Sequence, residues 1–215
     1  MYFRFLLRFK CLSLRLLGFY FVAFCLPAMA DNPKILIYGD SLSAVYGVSQ
    51  QQGWPTLLQN KLNDKNNHYQ VVNASISGET TSGGLSRLSA TLTKFKPNIV
   101  ILALGANDGL RGLPIQEMTN NLNSMISLSQ KSNAKVLLLG MKIPPNYGMK
   151  YSSKFSQTFS DLSQQHKINL VPFMLQNVAT IPNLNQDDGI HPNALAQPLI
   201  LDNIWPELHG ILEQN

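Results

Sequence analysis

The stretch IVILALGAND, residues 99–108, joins an unbroken aliphatic run to a glycine and two polar side chains. Six consecutive apolar residues, Ile99 to Leu104, leave no polar face for water, as is typical of a strand buried on both sides of a sheet. Gly105 and Asn107 then supply the turn residues with which such a strand ends. The stretch therefore predicts a strand of a covered parallel sheet, with polar residues at its carboxyl end.

Similar aliphatic runs recur along the chain and alternate with longer segments whose apolar residues lie three and four positions apart. The predicted strands are 35–37, 69–72, 99–104, 136–139 and 170–171. The predicted helices include 53–63, 80–95, 115–132 and 151–166. This alternation predicts a single three-layer α/β/α domain around a mostly parallel sheet of five strands.

The first thirty residues differ in character from the rest of the chain. Four basic residues precede an uncharged run, 16–30, that ends in Ala-Met-Ala. This run has 15 residues, whereas a membrane-spanning helix needs about 20. We therefore predict an export signal, residues 1–30, whose removal after Ala30 leaves a periplasmic or secreted domain, residues 31–215. A lipid anchor on Cys25 is the alternative, and the bulky residue before it disfavours this reading.

Composition restricts the functions open to the processed domain. The sequence is 45% hydrophobic and 13% charged, which favours a globular core over disorder. The sequence has 17 basic and 12 acidic residues, and four of the basic ones lie in the signal. The domain therefore has 13 basic and 12 acidic residues and a net charge of +1. We therefore expect no nucleic-acid partner. Both cysteines, Cys11 and Cys25, lie in the signal, so the domain is expected to have no disulfide. We expect no stable membrane anchor after the signal is removed, and the absence of cysteine and of any obvious exposed apolar stripe favours a monomer.

Polar segments follow the predicted strands at the places where an open parallel sheet binds its ligands, outside the carboxyl ends of the strands. Gly39-Asp40-Ser41 follows the first strand, 73–78 the second and 105–109 the third. A fourth polar segment, 187–193, is expected to open the last helix. Chemistry is therefore expected at this edge of the sheet.

A serine in the first of these segments needs a general base, because its hydroxyl is a weak nucleophile. Among four histidines, His191 has Asp188 three residues before it and Pro192 directly after it. A tight turn of this composition can fold the carboxylate onto Nδ1 and leave Nε2 free for a hydroxyl. The alternative is that Asp188 only caps a helix.

Acyl transfer also needs hydrogen-bond donors that face the developing oxyanion. The backbone N–H of Gly78 and the side-chain amide of Asn107 are candidates, although both residue types are also common in turns. The lipase-type elbow G-x-S-x-G is absent, because Ser43 stands where its second glycine would be. No metal or cofactor site is expected, since the sequence has no His-x-x-x-His or Cys/His spacing.

Four blocks, in this order, resemble those of the SGNH or GDSL hydrolases. They are Gly39-Asp40-Ser41-Leu42-Ser43, Gly78, Gly105-Ala106-Asn107-Asp108 and Asp188-Gly189-Ile190-His191-Pro192. The chain from Asp31 to about Leu212 is most similar to the bacterial periplasmic group described as thioesterase I, protease I and lysophospholipase, and also as arylesterases. Ala106 departs from that pattern, where a glycine is also common.

The resemblance implies a flavodoxin-like fold and a role for each matched residue. Ser41 would be the nucleophile, His191 the base and then the acid, and Asp188 the partner that orients the histidine. The Ser41 and Gly78 N–H groups and the Asn107 side chain would bind the oxyanion. Asp40 would be structural, and Ser43 is the rival nucleophile.

The implied activity is the hydrolysis of esters and thioesters of acyl substrates, such as acyl-CoA-type thioesters, lysophospholipids and aryl esters, through an acyl-enzyme. The candidate acyl groove comprises Leu110, Leu113, Ile143, Pro144, Pro145 and Tyr147, with core packing as the alternative role of these residues. A carbohydrate O-acetylesterase that uses the same site and an inactive binding module are the competing functions.

Overall fold

Five parallel strands form the centre of the fold in the computed structural model, which describes residues 32–65 and 67–214, apart from the side chain of Pro145. The predicted export signal and its cysteines lie outside the described residues. The strands are β1 (Lys34–Gly39), β2 (Gln70–Asn73), β3 (Ile99–Ala103), β4 (Lys135–Leu139) and β5 (Asn169–Val171). All five residues of β3 are buried, as its aliphatic run predicts.

The strand order is β2-β1-β3-β4-β5, and every pairing is parallel. The predicted α/β class and five-stranded sheet are thereby confirmed. The chain winds one way from β1 to β2 and the other way from β3 onward, so β1 and β3 are neighbours. A crevice opens between their carboxyl ends in sheets of this order, and it is the usual place for a ligand.

Seven α-helices occur in the described residues and cover both faces of the sheet. They are α1 (Ser41–Ala44), α2 (Trp54–Asp64), α3 (Thr81–Phe95), α4 (Ala106–Leu110), α5 (Ile115–Lys131), α6 (Met149–His166) and α7 (Gln197–Leu212). The helices α3, α5 and α6 pack side by side on one face, and α2 packs against α7 on the other. None of the helices in the described ranges has the length and apolar character required to cross a bilayer.

The last helix begins later than the sequence predicts. Segment 187–193 does not open it, because a 3₁₀ helix, Ala194–Ala196, comes first and α7 begins only at Gln197. The Asp188 carboxylate accepts from N–H groups within its own turn, which leaves Asn193 to cap the 3₁₀ helix by accepting from the Leu195 N–H at 2.9 Å. The D-x-x-H motif therefore lies in an irregular connection between β5 and α7.

Candidate active site

The polar segments predicted at the strand ends converge on one edge of the sheet. Ser41 begins α1 directly after β1, and Asn107 lies in α4 directly after β3. His191 comes from the long connection between β5 and α7 and reaches the same crevice. The two short helices α1 and α4 were not predicted from the sequence, because four or five residues are too few to show a helical period.

A continuous chain of hydrogen bonds joins the serine, the histidine and the aspartate. His191 Nε2 lies 2.9 Å from Ser41 Oγ, and His191 Nδ1 lies 2.6 Å from Asp188 Oδ2. When Nδ1 carries the ring proton, it donates a hydrogen bond to the carboxylate. Nε2 then accepts a hydrogen bond from the serine hydroxyl. This is the geometry that general-base activation of a serine requires.

The Asp188 carboxylate is fixed by its own backbone as well as by the histidine. Its second oxygen, Oδ1, accepts from the N–H groups of Ile190 at 2.9 Å and His191 at 3.0 Å. The hydrogen bond with the His191 side chain, followed by these two backbone bonds, lowers the pKa of Asp188 to about 2. The group is therefore a carboxylate at any pH near neutrality, even though its side chain is 38% exposed.

A glutamine that the sequence analysis missed connects the serine side of the site to the histidine side. Gln186 Nε2 donates to the carbonyl of Tyr46 at 2.8 Å and to the carbonyl of Pro192 at 3.0 Å. Its backbone N–H donates to the carbonyl of His191 at 2.8 Å. The Tyr46 ring also packs on the His191 ring, with 4.7 Å between centroids. These contacts hold the segment after Ser41 against the histidine connection.

The three predicted oxyanion donors differ in their surroundings. The N–H groups of Ser41 and Gly78 make no hydrogen bond within the described chain. Gly78 has a φ of +77°, a conformation that favours glycine, and its carbonyl accepts from Arg111 Nη2 at 2.8 Å. Asn107 Nδ2 donates to the carbonyl of Glu79 at 3.1 Å and to Asp40 Oδ2 at 3.3 Å. Asn107 lines the cleft beside Ser41, whereas Gly78 is outside its lining.

Asp40 is a buried carboxyl directly before Ser41 in the chain. It is 1% exposed, and its Oδ1 accepts from the Leu42 N–H at 3.1 Å at the start of α1. Burial is the main cause that raises the pKa of Asp40 to about 7, against the opposing effect of the hydrogen bond from Leu42. Its second oxygen faces the Asn107 amide, so Asp40 connects the turn after β1 to the amide that follows β3.

The rival serine is inaccessible to any substrate. Ser43 is fully buried, and its hydroxyl has no hydrogen-bond partner among the described residues. It packs against Gly39, where an added Cβ would lie 2.8 Å from Ser43 Oγ. Gly39 is therefore needed for close packing behind the turn, and Ser43 is part of the core.

A cleft of about 160 Å³ opens beside Ser41 and His191. Three of the predicted groove residues, Leu110, Ile143 and Pro144, line it. The lining also includes Met141, Phe173, Leu175 and Ala179, which the sequence analysis did not select. All four follow β4 or β5, so they could have been predicted from the rule that ligands lie beyond the carboxyl ends of the strands.

Two predicted groove residues are not part of this cleft. Leu113 and Tyr147 are 37% and 39% exposed and lie outside its lining. The Tyr147 hydroxyl donates to the carbonyl of Leu110 at 2.8 Å, and the Tyr151 hydroxyl donates to that of Leu113 at 2.8 Å. These hydrogen bonds hold the two loops together, and a role of Leu113 and Tyr147 in binding an acyl chain stays a prediction. The Pro145 side chain lies outside the described part of the chain.

No three His, Cys, Asp or Glu side chains in ranges 32–65 and 67–214 lie close enough together to hold a metal ion. The side chains that meet at the strand ends include a serine, a histidine, a carboxylate and a neutral amide donor. Such a set performs nucleophilic and acid–base chemistry on a carbonyl group.

Comparison with known proteins gives consistent results. Residues 37–197 match the GDSL-like Lipase/Acylhydrolase family. The chain is 46% identical to Esterase TesA of Pseudomonas aeruginosa over 87% of this chain and 93% of that protein. It is 41% identical to Thioesterase 1/protease 1/lysophospholipase L1 of Escherichia coli over 87% of this chain and 88% of that protein. The solved structure of the psychrotrophic esterase EstA from Pseudoalteromonas sp., inhibited by monoethylphosphonate, superposes with a TM-score of 0.81 at 44% identity, over 85% of this chain and all of that one.

Proposed function

The chain belongs to the GDSL-like lipase/acylhydrolase family and is a carboxylic ester hydrolase, and we propose that Ser41, His191 and Asp188 carry out its reaction on esters and thioesters of acyl chains. The observation that carries this proposal is the hydrogen-bonded series from Ser41 Oγ through His191 to Asp188 at the mouth of an apolar cleft.

In the first step, Ser41 Oγ attacks the carbonyl carbon of the substrate while His191 Nε2 takes the hydroxyl proton. Asp188 stays ionised, keeps the proton of the ring on Nδ1 and stabilises the imidazolium. When the tetrahedral intermediate collapses, the bond to the alcohol or thiol breaks and His191 gives its proton to that leaving group. In the second step, His191 deprotonates a water molecule that attacks the acyl-enzyme. When this second intermediate collapses, the bond to Ser41 Oγ breaks, His191 returns the proton to that oxygen and the acid is released.

The oxyanion of each intermediate accepts hydrogen bonds from the Ser41 N–H, the Gly78 N–H and the Asn107 amide. The two backbone donors are unengaged within the described chain. The Asn107 amide has two bonds, and the longer one, to Asp40 at 3.3 Å, is the one that the oxyanion replaces. Each such donor lowers the barrier by about 3 kcal/mol.

The cleft favours acyl chains over acetylated sugars as substrates. Its lining is mainly apolar and includes Leu110, Ile143 and Phe173. The relatives named as thioesterase, lysophospholipase and esterase are consistent with an acyl substrate. A carbohydrate O-acetylesterase would need more polar and aromatic groups to bind a sugar ring. An inactive binding module would not require a serine and a histidine aligned for proton transfer.

We also propose that the enzyme acts outside the cytoplasm after removal of residues 1–30. The basic start, the short apolar run and the Ala-Met-Ala end of this segment support export. Amino-terminal sequencing of the protein recovered from the periplasm tests this proposal, and a chain that still began at Met1 would contradict it.

The substrate class is tested with p-nitrophenyl esters of increasing acyl length. We expect kcat/KM to rise from acetate to medium-length chains, because the added methylenes enter the apolar cleft. A protein that hydrolysed only acetates would rule out the acyl-chain proposal.

The nucleophile is tested with a matched pair of serine variants. Ser41→Ala should lower kcat by about 10⁴-fold or more and abolish labelling by a fluorophosphonate. Ser43→Ala should keep both, because that hydroxyl is buried away from the cleft. Retained activity in Ser41→Ala would overturn the assignment.

A further inference from the structure

The large hydrophobic side chains that are exposed gather at one end of the molecule. Nine such residues occur in the described chain, and each one lies in a connection that follows a strand or in the first turn of a helix that follows it. They are Tyr46, Ile76, Leu113, Tyr147, Met149, Ile181, Ile190, Leu195 and Leu199. All the strands are parallel, so these connections share the carboxyl edge of the sheet, where the catalytic cleft also opens. Here this set is called the apolar rim.

The opposite edge of the sheet has none of these residues among those described. Its connections are 65–69, 96–98, 132–134 and 167–168, of which residue 66 is outside the described part. Apolar side chains scattered singly over a surface are ordinary, whereas their grouping at the edge that holds the cleft is typical of an interaction surface. The most exposed members are Met149 at 81% and Leu195 at 71%.

Positive charge accompanies the rim on the side of α6. Lys150 and Lys154 line a shallow groove there together with Tyr147, Met149 and Tyr151. Lysines beside tyrosine and methionine suit a lipid–water interface, where the apolar parts enter the acyl boundary and the ammonium groups meet phosphates. A second copy of the chain, docked face to face, would instead bring these lysines against one another.

We propose that the apolar rim docks on the surface of an anionic bilayer. The rim lies at the same edge of the sheet as the cleft, and one of its members, Ile190, lines the cleft. Docking would therefore turn Ser41 towards the membrane and let an acyl chain leave the lipid phase for the cleft without crossing water. This contact is peripheral and reversible, and it does not depend on catalysis. The inference is therefore testable in a protein that cannot hydrolyse lipid.

Co-sedimentation with vesicles tests the proposal, with the processed Ser41→Ala protein produced from the full chain. We expect binding to vesicles of phosphatidylglycerol and phosphatidylethanolamine, and much weaker binding to phosphatidylcholine alone. The double variant Met149→Ser/Leu195→Ser should weaken binding by about tenfold, and so should Lys150→Glu/Lys154→Glu.

The matched control reverses two charges at the far edge of the sheet. Lys94 and Lys131 lie in the last turns of α3 and α5, and Lys94→Glu/Lys131→Glu should leave vesicle binding within about twofold. Circular dichroism of every variant establishes that it is folded. With Ser41 intact, Met149→Ser/Leu195→Ser should hydrolyse soluble p-nitrophenyl acetate at the unaltered rate.

Three outcomes would overturn the proposal. The first is absence of binding to anionic vesicles. The second is an equal loss of binding in Lys94→Glu/Lys131→Glu, which would show adsorption through overall charge. The third is a change in sedimentation coefficient without lipid in Met149→Ser/Leu195→Ser, which would show that the rim joins two copies of the chain.

Discussion

The carboxyl and amino edges of the sheet are made by the same strands and helices, but their connections differ in length and in the side chains that they carry. At the carboxyl edge the connections are long, the longest being 172–196, and they carry buried carboxyls and exposed apolar side chains. At the amino edge they are short, such as 96–98 and 167–168. The proposed catalytic residues and the proposed docking surface thus lie at one edge, whereas the connections at the other edge only reverse the direction of the chain.

The amino edge has its own energetic features. The helices α3 and α6 are followed by the cap residues Lys96 and Lys167, whose φ values of 47° and 53° are left-handed. This conformation is unfavourable for a residue with a Cβ, although a lysine near a helix C-terminus is favoured by the helix dipole. Changes at this edge should therefore alter stability and leave catalysis intact, whereas changes at the carboxyl edge should do the reverse.

Asp188→Asn is expected to separate catalysis from stability more than any other substitution considered. The amide would donate to His191 Nδ1, impose the wrong tautomer and lower kcat by about 10⁴-fold. The melting temperature should stay within a few degrees, because the side chain is 38% exposed and Asn keeps an acceptor for the backbone N–H groups. Steady-state kinetics and thermal melts measure the two quantities. A variant with near-normal kcat would contradict the role of Asp188.

Asp40→Asn changes a buried residue at the carboxyl edge that affects stability and also contacts the Asn107 amide of the candidate site. Burial raises the pKa of Asp40 from 3.8 to about 7, so between these values the folded protein holds a proton that the unfolded chain has released. Stability should therefore fall as the pH rises from about 4 to about 7, by about 2–4 kcal/mol, and the variant should lack this fall. Urea unfolding at pH 5 and pH 8 measures it, with Asp64→Asn as an exposed control. Equal pH dependence in the wild type and Asp40→Asn would contradict the burial argument.

Gln186→Ala should lower kcat by about tenfold with little change in KM, because the His191 connection is no longer tied to the segment after Ser41. Gln186→Glu, which keeps the shape but cannot donate to two carbonyls, should not restore activity. Titration with a fluorophosphonate counts the sites that still react. If Gln186 positions His191, every active site in the variant should react with the fluorophosphonate, but slowly. If the substitution only unfolds part of the protein, fewer active sites should react, each at the normal rate. Gln165→Ala, at the amino-edge end of α6, is the matched control and should be unchanged.

The smallest effect is expected at the amino edge, for Lys167→Gly. Glycine adopts the left-handed conformation without strain, so the free energy of unfolding should rise by about 0.5–1 kcal/mol. Lys94→Gly, in the last turn of a regular helix, should lower it by a similar amount. Chemical denaturation measures both variants, and kcat/KM should be normal in each. Loss of activity in Lys167→Gly would break the division between the two edges.

The architecture and much of the site geometry could be read from local patterns. The aliphatic run of β3 and the alternation with helices predicted a covered parallel sheet, and the D-x-x-H turn predicted a carboxylate folded onto Nδ1. Both are short-range properties, because burial period and turn chemistry act over a few residues. The strand bounds were accurate to one or two residues for the same reason.

Other features depend on contacts between distant segments, which no local pattern contains. Gln186 and Tyr46 are 140 residues apart in the chain, so their hydrogen bond was not foreseen. Leu113 and Tyr147 were chosen because they are apolar residues in loops near the site, yet a loop has two sides and composition does not say which one faces the cleft. The start of α7 was predicted too early, because the Asp188 carboxylate accepts hydrogen bonds from the N–H groups of its own turn and does not cap the helix.

The proposed general base, His191, and Asp188 share one connection and lie three residues apart. A single displacement of that connection withdraws both groups from Ser41 together, while the sheet and its helices stay folded. On warming, the enzyme should therefore lose activity in one sharp step below the temperature at which the core melts, and regain it on cooling. The thermal limit of catalysis would be set by how firmly the part of that connection around Asp188 and His191 is held.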